Sequence, residues 1–203
     1  MYGRTLDERV LEFGHEGVLY RNSFVMYDRE TRSLWAHTTG QAIKGELRGR
    51  KLEFLASEVV PWSVWSERHP DTLVLDRGGE DTGFMGTFAV SEAVEDYGIS
   101  IGSGSEARLY TYDLLMNVLF VQSGDQVVLY LEDSATVRAF ACGERVLDLG
   151  SDWLLRDEDG ATWDPLTGAA QEDSAEDLPR LPATAWLIDR WEGFYADGEV
   201  IRE

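Results

Sequence analysis

Cysteine, lysine and long apolar runs are what this chain lacks, and each shortage removes a class of protein. The one cysteine, Cys142, excludes an internal disulfide and any site built from several thiolates. It ends the strand-like run Val137 to Gly143 and reads as a small buried apolar residue. No stretch of about 18 apolar residues exists, so no helix is expected to insert in a membrane. The start, Met1 to Glu8, has no signal-peptide core. As written, the chain is expected in the cytoplasm; if its natural N-terminus lies further upstream, the expectation becomes extracytoplasmic.

Of the 18 basic residues, only Lys44 and Lys51 are lysines. Against them stand 38 acids, for a net charge of −20. Such a field repels nucleic acid and anionic membrane, so neither is expected as a partner. An acidic, lysine-poor surface suits a salty cell interior, where ions screen the self-repulsion, and this points to a halophilic source. What the chain does have is apolar substance. With 203 residues, 43% of them hydrophobic, it can bury a core as one large domain or two small ones.

A pattern also recurs. Glu8-Arg9-Val10-Leu11-Glu12-Phe13-Gly14 returns as Glu144-Arg145-Val146-Leu147-Asp148-Leu149-Gly150. The run from Asp28 to Trp35 is echoed by Asp157 to Trp163, and Thr39-Gly40 by Thr167-Gly168. Trp65 and Trp191 follow in the same order. Several anchors in one order imply two diverged copies of a unit. Strand-like sequence from Ala107 to Gly143 precedes the second copy, while seven residues precede the first. The first copy is therefore incomplete, and copies of the chain could pair through the strand edges this leaves open.

Period-two alternation dominates. Val10 to Phe13 and Val18 to Tyr20 read as strand. Phe24 to Tyr27 and Ser33 to His37 read as a hairpin, with Asp28 placed to accept N–H bonds in its turn and Asp157 to do the same in the second copy. Leu114 to Val121 and Gln126 to Leu131 read as a second hairpin, and Thr72 to Leu75 as a short strand. Short helices are expected at Pro61 to Arg68, at Ser91 to Tyr97, and at Ala185 to Phe194 with Thr184 as its cap. Asp76 to Asp81 reads as a glycine-rich loop, and Gln171 to Asp177 as a solvated acidic one. The fold class expected is mostly β with a few short helices, from two copies of one β unit. The division expected is 1–85 for the incomplete first unit, 86–106 for a helix and Gly/Ser-rich connector, and 107–203 for the second unit, in one body.

Phe13-Gly14, Val25-Met26-Tyr27-Asp28-Arg29-Glu30-Thr31, Ser33-Leu34-Trp35, Thr39-Gly40-Gln41-Ala42, Gly45, Trp62-Ser63-Val64-Trp65 and His69-Pro70-Asp71-Thr72 together resemble the family catalogued as domain of unknown function 3179. The second copy, through Trp163, Thr167-Gly168 and Trp186, looks like that family's diverged second half. The resemblance implies a bacterial or archaeal protein, often exported, with no established activity and no catalytic residues to carry over. It also implies a front segment with closely spaced cysteines, which this chain does not contain.

Candidate chemistry centres on histidine. Alternation places His15 on the face of Leu11 and Phe13, and His37 on the face of Trp35. Two imidazoles with a carboxylate, Asp28 or Glu16, are the donor set for zinc or copper. The competing reading is a pair of hydrogen-bonded core histidines. His69 follows a short helix and suits its C-terminal dipole. Gly98-Ile99-Ser100-Ile101-Gly102 matches a hydrolase elbow, but no helix signal follows and no His lies beyond His69. The dense aspartates at 148, 152, 157, 159 and 164 miss calcium-loop spacing and read as solvated turns. The tryptophans at 35, 62, 65, 163, 186 and 191 recur with the repeat, which favours packing over an exposed sugar- or peptide-binding platform. The expected function is that of a non-enzymatic binding or structural protein of a prokaryote, with a small-molecule ligand left unknown; the alternative is a metal-binding protein or metalloenzyme at the first-copy histidines.

Overall fold

The alternation in the first quarter of the chain folds as antiparallel strands. The structure, a computed structural model, describes residues 1–57, 62–74, 94–134 and 136–202. Its backbone groups into two units: 1–57 with 192–196, and 58–191 with 197–203.

In the first unit, β1 (Thr5–Leu6) pairs with β2 (Arg9–Val10). Strands β3 (Phe13–Tyr20), β4 (Ser23–Asp28), β5 (Leu34–Ala36) and β6 (Gln41–Lys44) form one antiparallel sheet in sequence order. Met26 faces Trp35 across β4 and β5, and Trp35 faces Ala42 across β5 and β6. Leu11, Trp35, Ala42 and Leu52 are buried together, with Tyr2, Phe13 and Met26 packed around them. Asp28 heads the turn as expected. One carboxylate oxygen accepts the Thr31 N–H and hydroxyl, and the other accepts the Trp35 indole N–H at 2.8 Å.

The second unit opens with α1 (Trp62–Arg68). It continues with β7 (Tyr97–Ile101), β8 (Arg108–Thr111), α2 (Tyr112–Val118), β9 (Phe120–Ser123), β10 (Gln126–Leu131) and β11 (Thr136–Ala141). Then come β12 (Leu147–Leu149), β13 (Leu155–Asp157), β14 (Thr162–Trp163), β15 (Ala183–Leu187), α3 (Ile188–Phe194), of which residues 192–194 belong to the first unit, and β16 (Glu199–Ile201). One sheet runs β15-β7-β8-β16, a second β11-β10-β9 and a third β12-β13-β14. Val127, Leu129 and Phe140 enter one apolar cluster, with Trp163 and Leu178; Val128 and Ala139 enter another, with Ile99, Tyr110 and Leu115. The β9-β10-β11 sheet is thus covered on both faces, so β10 reads as an unbroken apolar run.

Four expected elements differ. Residues 114–118 are helix, not strand: Thr111 caps α2 by accepting the Leu114 N–H, and Leu119 ends it in the left-handed conformation. Thr184 caps nothing; Ala183–Leu187 is strand β15, paired with β7, and the helix begins at Ile188. Ladder bonds to β7 outcompete the helical pattern there. Residues 72–74 form no strand, and Leu73 is almost fully exposed. Residues 94–96 make one tight 3-10 turn before β7; Ser91 itself, Leu75 and the loop 76–81 lie outside the described residues. The helix expected at Pro61 to Arg68 is present over Trp62–Arg68, Pro61 lying outside the described residues; the first hairpin is present at 23–36, and the second from Phe120 rather than Leu114, to Leu131.

The hairpins around Trp35 and Trp163 share their bonding in detail. Met26 faces Trp35 and Leu155 faces Trp163; Trp35 faces Ala42 and Trp163 bridges Ala170. The Asp28 N–H bonds Ser33 O, and the Asp157 N–H bonds Ala161 O, both at 3.1 Å. Asp157 Oδ1 accepts the Ala161 N–H at 2.9 Å, the turn role expected of it. Gly40 and Gly168 both have positive φ, and each carbonyl accepts an N–H from a buried leucine, Leu52 or Leu178. The strands ahead of these hairpins differ by two residues from the sequence match. Phe13 faces Asp28, but Leu147 faces Asp157, where the Glu-Arg-Val-Leu alignment would put Leu149. A slip of two keeps every side chain on its face, which is why the sequence tolerates it.

Candidate functional site

The histidine row is the first place to look. His15 faces Met26, and the His37 N–H bonds Phe24 O. Phe24 and Met26 share a face of β4, so His15, Phe24 and His37 share it too. The Phe24 ring stacks on His15 at 4.7 Å and 5°, and meets His37 edge-on at 5.7 Å. One face therefore carries both imidazoles, but its buried end holds Trp35 and Ala42, while the histidine end is exposed. A phenyl ring contacts each of the two. Asp28 is fully buried, with both carboxylate oxygens bonded to Trp35 and Thr31. Burial pushes its carboxyl up, but the bonds from Trp35, Thr31 and Ser33 outweigh that and hold it below the usual range. Glu16 lies near Arg32 at 3.9 Å. Among the described residues no group of three or more His, Cys, Asp or Glu side chains is arranged to hold a metal ion.

Other sequence candidates take structural places. Ser100 sits mid-strand in β7, buried, and accepts the Trp191 indole N–H at 2.7 Å, so Gly98 to Gly102 is no elbow. The His69 N–H bonds Trp65 O at 2.8 Å, and its ring lies 4.0 Å from that indole. Cys142 is buried, and burial pushes its thiol up. Trp35, Trp163 and Trp191 are fully buried, as a packing role requires; Trp62 is exposed.

The structure adds a place that sequence reasoning missed. In the second unit a cleft of about 530 Å³ is lined by Leu131, Ser134, Trp153, Pro165 and Leu166, with charge from Arg68, Glu132, Asp152 and Asp164. Ser134 is 1% exposed and its hydroxyl has no hydrogen-bond partner among the described residues. An unsatisfied buried hydroxyl costs about 1–3 kcal/mol, so a cleft wall is where a native protein can tolerate one. Trp153 is 41% exposed and holds φ at +61°, a conformation uncommon outside glycine. Its N–H bonds Gly150 O at 2.9 Å, which closes the turn that presents the indole.

The charges in the cleft are unequally committed. Asp152 is bound by both terminal nitrogens of Arg156, and that guanidinium holds its carboxyl down at about 2. Asp164 spends one oxygen on the N–H groups of Leu166 and Thr167. Glu132 and Arg68 form no ion pair with any described residue. Trp153 belongs to no recurring position, so the repeat gave no reason to single it out. Its one sequence signal was that very isolation: the buried tryptophans at 35 and 163 recur and this one does not.

Compared with known proteins, residues 1–97 match a family described as Protein of unknown function (DUF3179). No curated protein matches the chain, and no solved structure does. The resemblance read from Phe13 to Thr72 holds over that segment. The likeness suggested for the second half lies beyond the match, as does every cleft residue but Arg68.

Proposed function

We propose that this is a binding protein, and that it takes a small organic ligand in the Trp153 cleft. The observation that carries this is the Ser134 hydroxyl, buried and without a partner among the described residues, in the wall of a cleft of ligand size. An exposed indole beside uncommitted charges supplies apolar contact and orientation. No histidine or cysteine lines the cleft, and the groups that do are suited to recognition. Thermal denaturation with panels of neutral, cationic, anionic and zwitterionic compounds tests it. A ligand at a hundred times its Kd adds about 2.7 kcal/mol; that gain is expected in the wild type and not in Trp153→Ala. Equal gains in both proteins would place the site elsewhere.

Two finer readings accompany this one. The matched bonding around Trp35 and Trp163 supports descent of both hairpins from one duplicated unit. The lysine-poor charge of −20 supports a prokaryotic source with a salty interior. For zinc or copper, the shared face of His15 and His37 is the supporting observation, and a metal there would have to move the Phe24 ring. Metal content of untagged protein checks this alternative: about one ion per chain, lost in a His15→Ala, His37→Ala variant, would establish it.

A further inference from the structure

The charges of the cleft specify more than a small ligand. Arg68 offers a guanidinium, and Glu132 and the second oxygen of Asp164 offer negative charge; none of these three groups is neutralised by a described residue. Leu131, Trp153, Pro165 and Leu166 offer apolar surface between them. A purely cationic ligand would leave Arg68 desolvated and unpaired. A purely anionic one would meet two carboxylates inside a field of −20. A neutral sugar would stack on the indole but would leave charges of both signs without partners.

We propose that the cleft binds a zwitterion with an apolar side chain: a free amino acid or a short peptide. Its carboxylate pairs with Arg68, whose planar fork suits that group. Its ammonium pairs with Glu132 and Asp164 and lies within reach of the Trp153 ring, where a cation is attracted to the indole face. The Ser134 hydroxyl gains from the ligand the hydrogen bond it lacks among the described residues. The side chain covers Leu131, Pro165 and Leu166.

This rests on the cleft being the ligand site, and the test separates the two claims. The probes are leucine, leucine methyl ester (cation only), N-acetylleucine (anion only) and glucose, titrated by calorimetry at neutral pH into the whole chain. The wild type is expected to bind leucine about tenfold more tightly than either single-charge form, the factor that one well-placed ion pair provides. Trp153→Ala is expected to remove binding. Arg68→Gln is expected to reduce leucine to the level of its ester while leaving the ester unchanged, a pattern that loss of folding would not give. Both altered side chains are exposed. If glucose or one single-charge form binds best and Trp153→Ala abolishes it, the cleft stands and the zwitterion is wrong. If no probe gives heat, or Trp153→Ala changes nothing, both claims fall.

Discussion

At the scale of single residues, Asp28 has the clearest consequences. It is a fully buried carboxylate whose bonds to Trp35 and Thr31 knit the first hairpin to its core. Asp28→Ala would leave the buried indole N–H of Trp35 without an acceptor, at a cost of about 3 kcal/mol measurable by urea denaturation. Its pKa also gives a pH dependence. The folded carboxyl lies below its ordinary value, so the folded state holds the proton less tightly than the unfolded chain. Its stabilisation is therefore complete above the unfolded value of about 3.9 and is lost as pH falls through the lower folded one. The stability gap between wild type and Asp28→Asn should be flat above about pH 5 and narrow below it. A gap that widened in acid would mean that this carboxyl is protonated in the native state.

At the scale of elements, the two hairpins predict one another. Gly40 and Gly168 hold left-handed turns at matching places. An added Cβ would stand 2.5 Å from the Tyr2 ring at Gly40, and 2.6 Å from Leu178 O at Gly168. Gly40→Ala and Gly168→Ala should each destabilise by about 2 kcal/mol or more, since strain and close contact add. If one proves neutral, the bonding shared by the hairpins does not reflect shared constraint.

Elements also show where sequence was legible. The hairpins at 23–36 and 120–131 were readable because alternation and polar turns agree there. The helix at 112–118 was not, because Tyr112-Asp113-Leu114-Leu115-Met116 suits either state and the deciding signal is the Thr111 cap. Residues 185–187 of β15 read as helix in the sequence because their partner strand β7 lies more than 80 residues away, and pairing at that distance leaves no local trace. The cleft was illegible for a related reason. It gathers residues 68, 131, 132, 134, 152–154 and 164–166 by tertiary folding, and its one conspicuous member, Trp153, belongs to no repeat.

Across the whole molecule, charge governs behaviour. At −20 the native state repels itself, and salt relieves this by shortening the screening length from about 10 Å at 0.1 M to about 3 Å at 1 M. The melting temperature should rise steadily with added KCl over that range; a fall would show that ion pairs outweigh the repulsion. No described helix is long and apolar enough to cross a membrane. Strand β3 pairs with β4 alone among the described strands, carries Glu16, and is bulged between His15 and Leu19. A charge and a bulge are both devices that discourage further pairing at an edge. With the net charge added, sedimentation at low salt should find the chain as a monomer; a stable dimer lost on mutating β3 would make that edge an interface.

The cleft carries the proposed ligand site, and Trp153 is its reporter. The chain has seven tryptophans, each giving one indole signal in a 15N-labelled NMR spectrum, and Trp153→Phe would assign the one that matters. On titration with leucine, the largest shift is expected at Trp153, with the buried indoles of Trp35, Trp163 and Trp191 nearly still. A shift centred on Trp62 instead, or no shift at any indole, would contradict a ligand site at the Ser134–Trp153 cleft.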